Sequence, residues 1–114
     1  MEPTFAYEQR EDVVFLDVRA DDEYQAGHIA DSVHIPLQEL PERWDELDAD
    51  RPVVAVCQVG QRSGLAASFL TEHGYDASNL EGGLESWVAE GFPLVPGENA
   101  PGRVIDGRAH YLEW

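Results

Sequence analysis

The chain reads as an α/β fold, a parallel central sheet covered by helices on both faces, and three observations point that way. Apolar, β-branched runs alternate with segments of helical periodicity, the order that builds strand–crossover–strand units. The two strongest runs, Val13-Val14-Phe15-Leu16-Asp17-Val18 and Pro52-Val53-Val54-Ala55-Val56, are apolar almost throughout, as expected of strands buried on both faces. The single cysteine, Cys57, stands directly after the second run and before a helical segment. Open α/β sheets bind their ligands at that place, beyond the carboxyl ends of the strands.

Taken in order, residues 1–10 show no periodicity and read as a short leader. Val13–Val18 is the first strand. Ala20–Ala26 follows as a short helix with acids in its first turn, ended by Gly27. Val33-His34-Ile35-Pro36 is a short strand closed by proline, and Leu37 to about Leu47 spaces Leu40, Trp44 and Leu47 at helical intervals, with Pro41 near its start. Val53–Val56 is the central strand and Gln61–Gly74 the helix after the cysteine. Tyr75–Leu80 is a weaker strand signal. Gly82-Gly83 then opens a last helix, Leu84–Glu90, stopped by Gly91 and Pro93. From Pro96 onward there is no periodicity until His110-Tyr111-Leu112-Glu113-Trp114, and 96–114 is expected to be an extension anchored by its aromatics, or a disordered tag.

A chain of 114 residues suits one domain with one hydrophobic core. Its net charge is −16, from 23 acids against 7 arginines with no lysine, which argues against nucleic acid as a partner. Such a composition fits adaptation to high salt, where screening relieves self-repulsion, or a coding bias for arginine. The acids are unevenly spread: none lies between Arg51 and Thr71, a stretch that holds Arg51 and Arg62. That asymmetry predicts a locally positive pocket around Cys57 and a small anionic substrate. No apolar run approaches the ~18 residues that a membrane crossing needs. Met1–Glu8 also lacks a signal peptide's basic and apolar segments. A cytoplasmic location without a membrane partner is therefore expected. Four histidines and one cysteine without ligand spacing predict no metal, and the absence of a glycine-rich nucleotide loop predicts no nucleotide cofactor.

The chemistry concentrates in Cys57-Gln58-Val59-Gly60-Gln61-Arg62-Ser63. A lone cysteine cannot form an internal disulfide and often serves as a small buried hydrophobe. At a strand-to-helix turn, however, a thiol faces unpaired backbone N–H groups and the positive end of a helix dipole, which favour a sulfur anion. Cysteine phosphatases also pair a cysteine with a downstream arginine, but over a longer loop that wraps a phosphoryl group. Here four residues separate Cys57 from Arg62, and the smaller ring of amides suits a single large anionic atom, such as the outer sulfur of a persulfide.

With Leu16-Asp17-Val18-Arg19, Glu23-Tyr24, Gly27-His28-Ile29, Ser32-Val33-His34-Ile35-Pro36, the cysteine loop, and Leu80-Glu81-Gly82-Gly83-Leu84 with Trp87 in this order, the chain resembles the rhodanese family of sulfurtransferases over about 13–94. The resemblance implies a rhodanese α/β fold with a parallel sheet of about five strands. It also implies a small anionic sulfur donor such as thiosulfate, and a thiol, protein or cyanide acceptor. Carried across, Cys57 is the nucleophile and persulfide carrier. Gln58, Val59, Gly60, Gln61, Arg62 and Ser63 form the anion loop, with Arg62 the electrostatic partner of the donor. Asp17, Arg19 and Glu23 become a structural set in which Arg19 bridges acids, and His28 a hydrogen-bonded helix-end residue. Gly82 and Gly83 permit close backbone approach at the pocket rim, and Trp87 belongs to the core. His34 stands where the family commonly has asparagine, which alters local hydrogen bonding. Two other readings stay open: a non-catalytic sulfur carrier or interaction module, and a phosphatase or arsenate reductase of related fold.

Overall fold

A computed structural model describes residues 1–97 of the chain. Its elements run α1 (Pro3–Glu8), β1 (Val14–Asp17), α2 (Asp21–Ala26), β2 (Val33–His34), α3 (Leu40–Arg43), β3 (Val53–Val56), α4 (Gln61–Glu72), β4 (Ala77–Asn79) and α5 (Gly83–Ala89), with 3₁₀ turns at Leu37–Glu39 and Trp44–Glu46 flanking α3. The strands form one parallel sheet in the order β2-β1-β3-β4. Among the described residues it has four strands, one fewer than the resemblance implies. The remaining apolar pair, Leu94-Val95, lies between Pro93 and Pro96. Prolines donate no hydrogen bond to a ladder, and Val95 makes only an isolated antiparallel bridge with His28.

The apolar runs serve two cores because successive side chains of a strand point to opposite faces. Leu16, Val53, Ala55 and Cys57 join Ala66, Ala67 and Leu70 of α4 with Ile35, Leu40 and Tyr75 on one face. Phe15, Val54 and Val56 join Ala6 of α1, Leu84 and Trp87 of α5, and Leu80 and Leu94 on the other. All four residues of β3 are buried, as the unbroken apolar run predicts, and Trp87 is a core residue, 1% exposed.

Two segments differ from the sequence reading. The leader contains a helix, α1, started by Pro3 and held by Ala6 in the core and Tyr7 stacked on Phe92, 4.2 Å between ring centroids. Two anchoring side chains on a six-residue helix leave no measurable periodicity. The expected helix from Leu37 to Leu47 is broken into three pieces. Pro41 has no N–H for the carbonyl of Leu37, so the chain makes a 3₁₀ turn first and starts α3 afresh. The predicted anchoring by His110 to Trp114 lies outside the described residues.

Candidate active site

The cysteine loop leaves β3 at Val56 and enters α4 at Gln61. Gly60, the N-cap of α4, has φ +103°, a left-handed conformation that glycine adopts without penalty. The bend turns successive N–H groups inward. Gly60 N donates to Cys57 Sγ at 3.1 Å, Ser63 N at 3.4 Å, and the Ser63 hydroxyl lies 3.2 Å from the sulfur. Cys57 and Ser63 are both buried, while Val59 at the loop's tip is exposed. Burial is the largest single influence on the thiol and pushes its pKa up. The Ser63 hydroxyl and the N–H groups of Ser63, Gly60 and Val59 together outweigh it, so the net shift is downward.

The loop's carbonyls must point the other way, and α5 receives them. Leu84 N donates to Cys57 O at 2.9 Å and Glu85 N to Gln58 O at 3.1 Å. The approach is close: a Cβ on Gly83, itself at φ +64°, would stand 2.6 Å from the Cys57 carbonyl oxygen. Gly83 thus lies against the backbone of the cysteine loop, while Gly82 is the N-cap of α5.

Arg62, on the first turn of α4, is bound by Glu23 of α2. NH1 meets Oε1 at 2.7 Å and NH2 meets Oε2 at 2.9 Å. The Arg62 hydrogen bond, together with one from Ala20 N, holds the Glu23 carboxyl at about 2, against the upward push of its partial burial. The expected structural set therefore divides. Arg19 does bridge, but to Asp17, with Nε to Oδ1 at 3.0 Å and NH2 to Oδ2 at 2.8 Å, and to the carbonyl of Gly27 at 2.7 Å. Glu23 belongs instead to the cysteine loop. His28 is buried just past the end of α2, donating from Nδ1 to Tyr24 O at 2.8 Å. His34 donates from Nε2 to Arg19 O at 2.8 Å and stacks on the Tyr24 ring, so the position is fully used.

Of the two arginines that the charge map sets near Cys57, Arg62 alone stands beside the loop, paired there with Glu23. Arg51 sits at the opposite end of β3, donating to the carbonyls of Glu11 and Val13. A depression of about 710 Å³ meets the loop at Val59; Gly82, Glu85, Ser86 and Val88 also line it, whereas Cys57 and Arg62 do not. The strand between Arg51 and Arg62 explains their separation: residues before and after a strand stand at opposite ends of the sheet, whatever their nearness in sequence.

Sequence reasoning missed Asn79. This residue ends β4, and its side chain reaches across to the loop. Nδ2 donates to Gly60 O at 2.9 Å, and Oδ1 lies 2.5 Å from the Ser63 hydroxyl. The register that sets Asn79 beside Ala55, two residues before Cys57, is the signal that places it, and no spacing in the sequence announces that register.

A family model for the rhodanese-like domain matches residues 4–90. A sulfurtransferase of Allochromatium vinosum is 38% identical over 89 residues, 77% of this chain and 83% of that protein. The thiosulfate sulfurtransferase GlpE of Pseudoalteromonas translucida is 38% identical over 81 residues, 70% of this chain and 77% of that protein. Among solved structures, a rhodanese-related protein of Thermoplasma volcanium superposes with a TM-score of 0.81 at 38% identity, covering 83% of this chain and 95% of that one.

Proposed function

We propose that this chain, which belongs to the rhodanese-like domain family, is a sulfurtransferase that carries sulfur as a Cys57 persulfide. The observation that carries the reading is the convergence of Gly60 N, Ser63 N and the Ser63 hydroxyl on one sulfur. Preorganised donors around a developing sulfur anion are what such a reaction needs. Names of relatives at 38% identity support the same class.

In the first half-reaction the Cys57 thiolate attacks the outer sulfur of thiosulfate. A sulfur–sulfur bond forms to Cys57, the bond to the sulfonate sulfur breaks, and sulfite leaves with the electron pair. In the second, cyanide or an acceptor thiolate attacks the outer sulfur of the persulfide and departs with it, returning the Cys57 thiolate. Charge balances in both steps and no external oxidant or reductant enters. Cys57 is the only cysteine, so a resolving thiol comes from another molecule, and ping-pong kinetics are expected. Arg62 is the candidate to meet the donor's oxygens, exchanging Glu23 for the incoming anion.

That exchange also favours a second reading. A guanidinium already neutralised by Glu23 attracts a free dianion weakly, which suits a carrier that trades sulfur with a protein partner. Steady-state turnover with thiosulfate and cyanide separates enzyme from carrier. Intact-mass spectrometry after incubation with thiosulfate tests both, with the gain of one sulfur expected on the native chain and none on Cys57→Ser. Sulfur retained by the serine variant would exclude a Cys57 persulfide.

A further inference from the structure

We propose that Asn79 is a positioning residue that controls which atom receives the single proton of the Ser63 hydroxyl. That hydroxyl faces two acceptors, Cys57 Sγ at 3.2 Å and Asn79 Oδ1 at 2.5 Å, and can donate to only one at a time. The Asn79 amide cannot turn away to resolve the conflict, because its Nδ2 is committed to Gly60 O at 2.9 Å. Oδ1 is therefore held against the serine, and Asn79 competes with the sulfur for the proton.

Two arrangements follow. With Cys57 as a thiol, the chain runs S–H to Ser63 Oγ, then Ser63 O–H to Asn79 Oδ1, and every hydrogen is used. With Cys57 as a thiolate, the serine proton must turn to the sulfur, leaving Ser63 Oγ and Asn79 Oδ1 face to face with no hydrogen between them. The bare thiolate thus pays for the serine's hydrogen bond, whereas in a persulfide the charge lies on the outer sulfur and the serine can remain with Asn79. Asn79 penalises the empty nucleophile relative to the loaded one. The same residue steadies the loop through Gly60, whose N–H is another donor to the sulfur.

The inference rests on Cys57 as the nucleophile, but its test needs no sulfur donor. The Cys57 titration is followed by thiolate absorbance, as a difference against Cys57→Ser, in the native chain, Ser63→Ala, Asn79→Ala and the double variant. Ser63→Ala is expected to raise the pKa by less than about half a unit in the native background and by about one unit in the Asn79→Ala background, where the serine proton is released to the sulfur. The charged groups around the loop are Arg62 on α4, Glu23 on α2, the Asp17–Arg19 pair at the end of β1 and Glu85 on α5. They are present in all four proteins, so their fields cancel in the cycle. Asn79→Asp supplies a second background that keeps an acceptor at the serine, and there the Ser63→Ala shift should fall close to zero. Equal Ser63→Ala shifts in the native and Asn79→Ala backgrounds would reduce Asn79 to a loop support and overturn the proposal. So would a larger shift in the Asn79→Asp background than in the native one. A chain that shows the expected cycle yet gains no sulfur from thiosulfate would overturn the sulfurtransferase reading and leave the Asn79 assignment standing.

Discussion

Arg19 and Arg62 each grip a carboxylate with two nitrogens, yet one pair is sealed and the other stands at the mouth of the cysteine loop. The side chains of Arg19 and Asp17 are 0% and 1% exposed, while those of Arg62 and Glu23 are 39% and 31% exposed. Arg19 also ties down the end of α2 through Gly27 O, and its carbonyl accepts from His34. Nothing from solution can replace those partners without opening the core. Arg62 has one partner acid, reachable by solvent and by an incoming anion. Burial thus turns the same chemistry into a fixed brace in one place and an exchangeable contact in the other.

The largest expected effect comes from breaking the brace. Arg19→Met leaves Asp17 charged and buried, a loss of about 3–5 kcal/mol of stability by chemical denaturation, a large share of the 5–15 kcal/mol typical of a domain. A loss below about 1 kcal/mol would mean that the buried pair is no more structural than the exposed one. Arg62→Ala should divide differently. Its stability cost stays within about 1 kcal/mol, while kcat/KM for thiosulfate falls about tenfold through loss of a charge-assisted contact. Transfer from a preformed persulfide to a neutral thiol should barely change, and equal losses in both half-reactions would make Arg62 a second brace.

Glu23→Gln sharpens the contrast by moving activity the other way. Freed from its carboxylate, Arg62 should capture thiosulfate more readily, with KM falling about threefold. A rise in KM would show that Glu23 aims the guanidinium and does not compete for it. The smallest effect is a pH dependence of stability. Glu23 is held at about 2 in the fold against an ordinary 4.5. A carboxyl whose folded pKa is depressed contributes stability above its unfolded pKa and loses it as pH falls through the folded one. The native chain should therefore lead Glu23→Gln by about 1 kcal/mol at neutral pH, allowing for solvent screening of a partly exposed pair. That lead should shrink between about pH 4.5 and 2. Melting curves of the two proteins across that range check it, and a constant difference would show that the ion pair adds nothing.

What was legible in the sequence follows a physical divide. Val53–Val56 declared itself because a strand buried on both faces has to be apolar at every position. The thiol's surroundings were legible because a cysteine between a strand and a helix meets backbone donors whatever the rest of the fold does. The partners of the charged side chains were not. Glu23 and Arg62 lie 39 residues apart in sequence, and only the fold brings them together. Arg51 and Arg62 looked like neighbours, yet β3 carries them to opposite ends of the sheet. Asn79 needed the β3–β4 register, a property of the sheet that no local pattern encodes. The helical spacing of Leu40, Trp44 and Leu47 was legible, but the break that Pro41 imposes at the carbonyl of Leu37 was not, because apolar periodicity is the same for α and 3₁₀ turns in so short a segment.

The unequal lengths of the strands have one more consequence. β1 and β3 occupy the centre, while the outer strands, β2 and β4, extend for two and three residues. Open rows of backbone donors and acceptors are what a second chain would need in order to add a strand of its own. Borders this short provide hardly one repeat of such a row. With a net charge of −16 holding copies apart, the sheet of the described residues is poorly suited to edge-to-edge polymerisation.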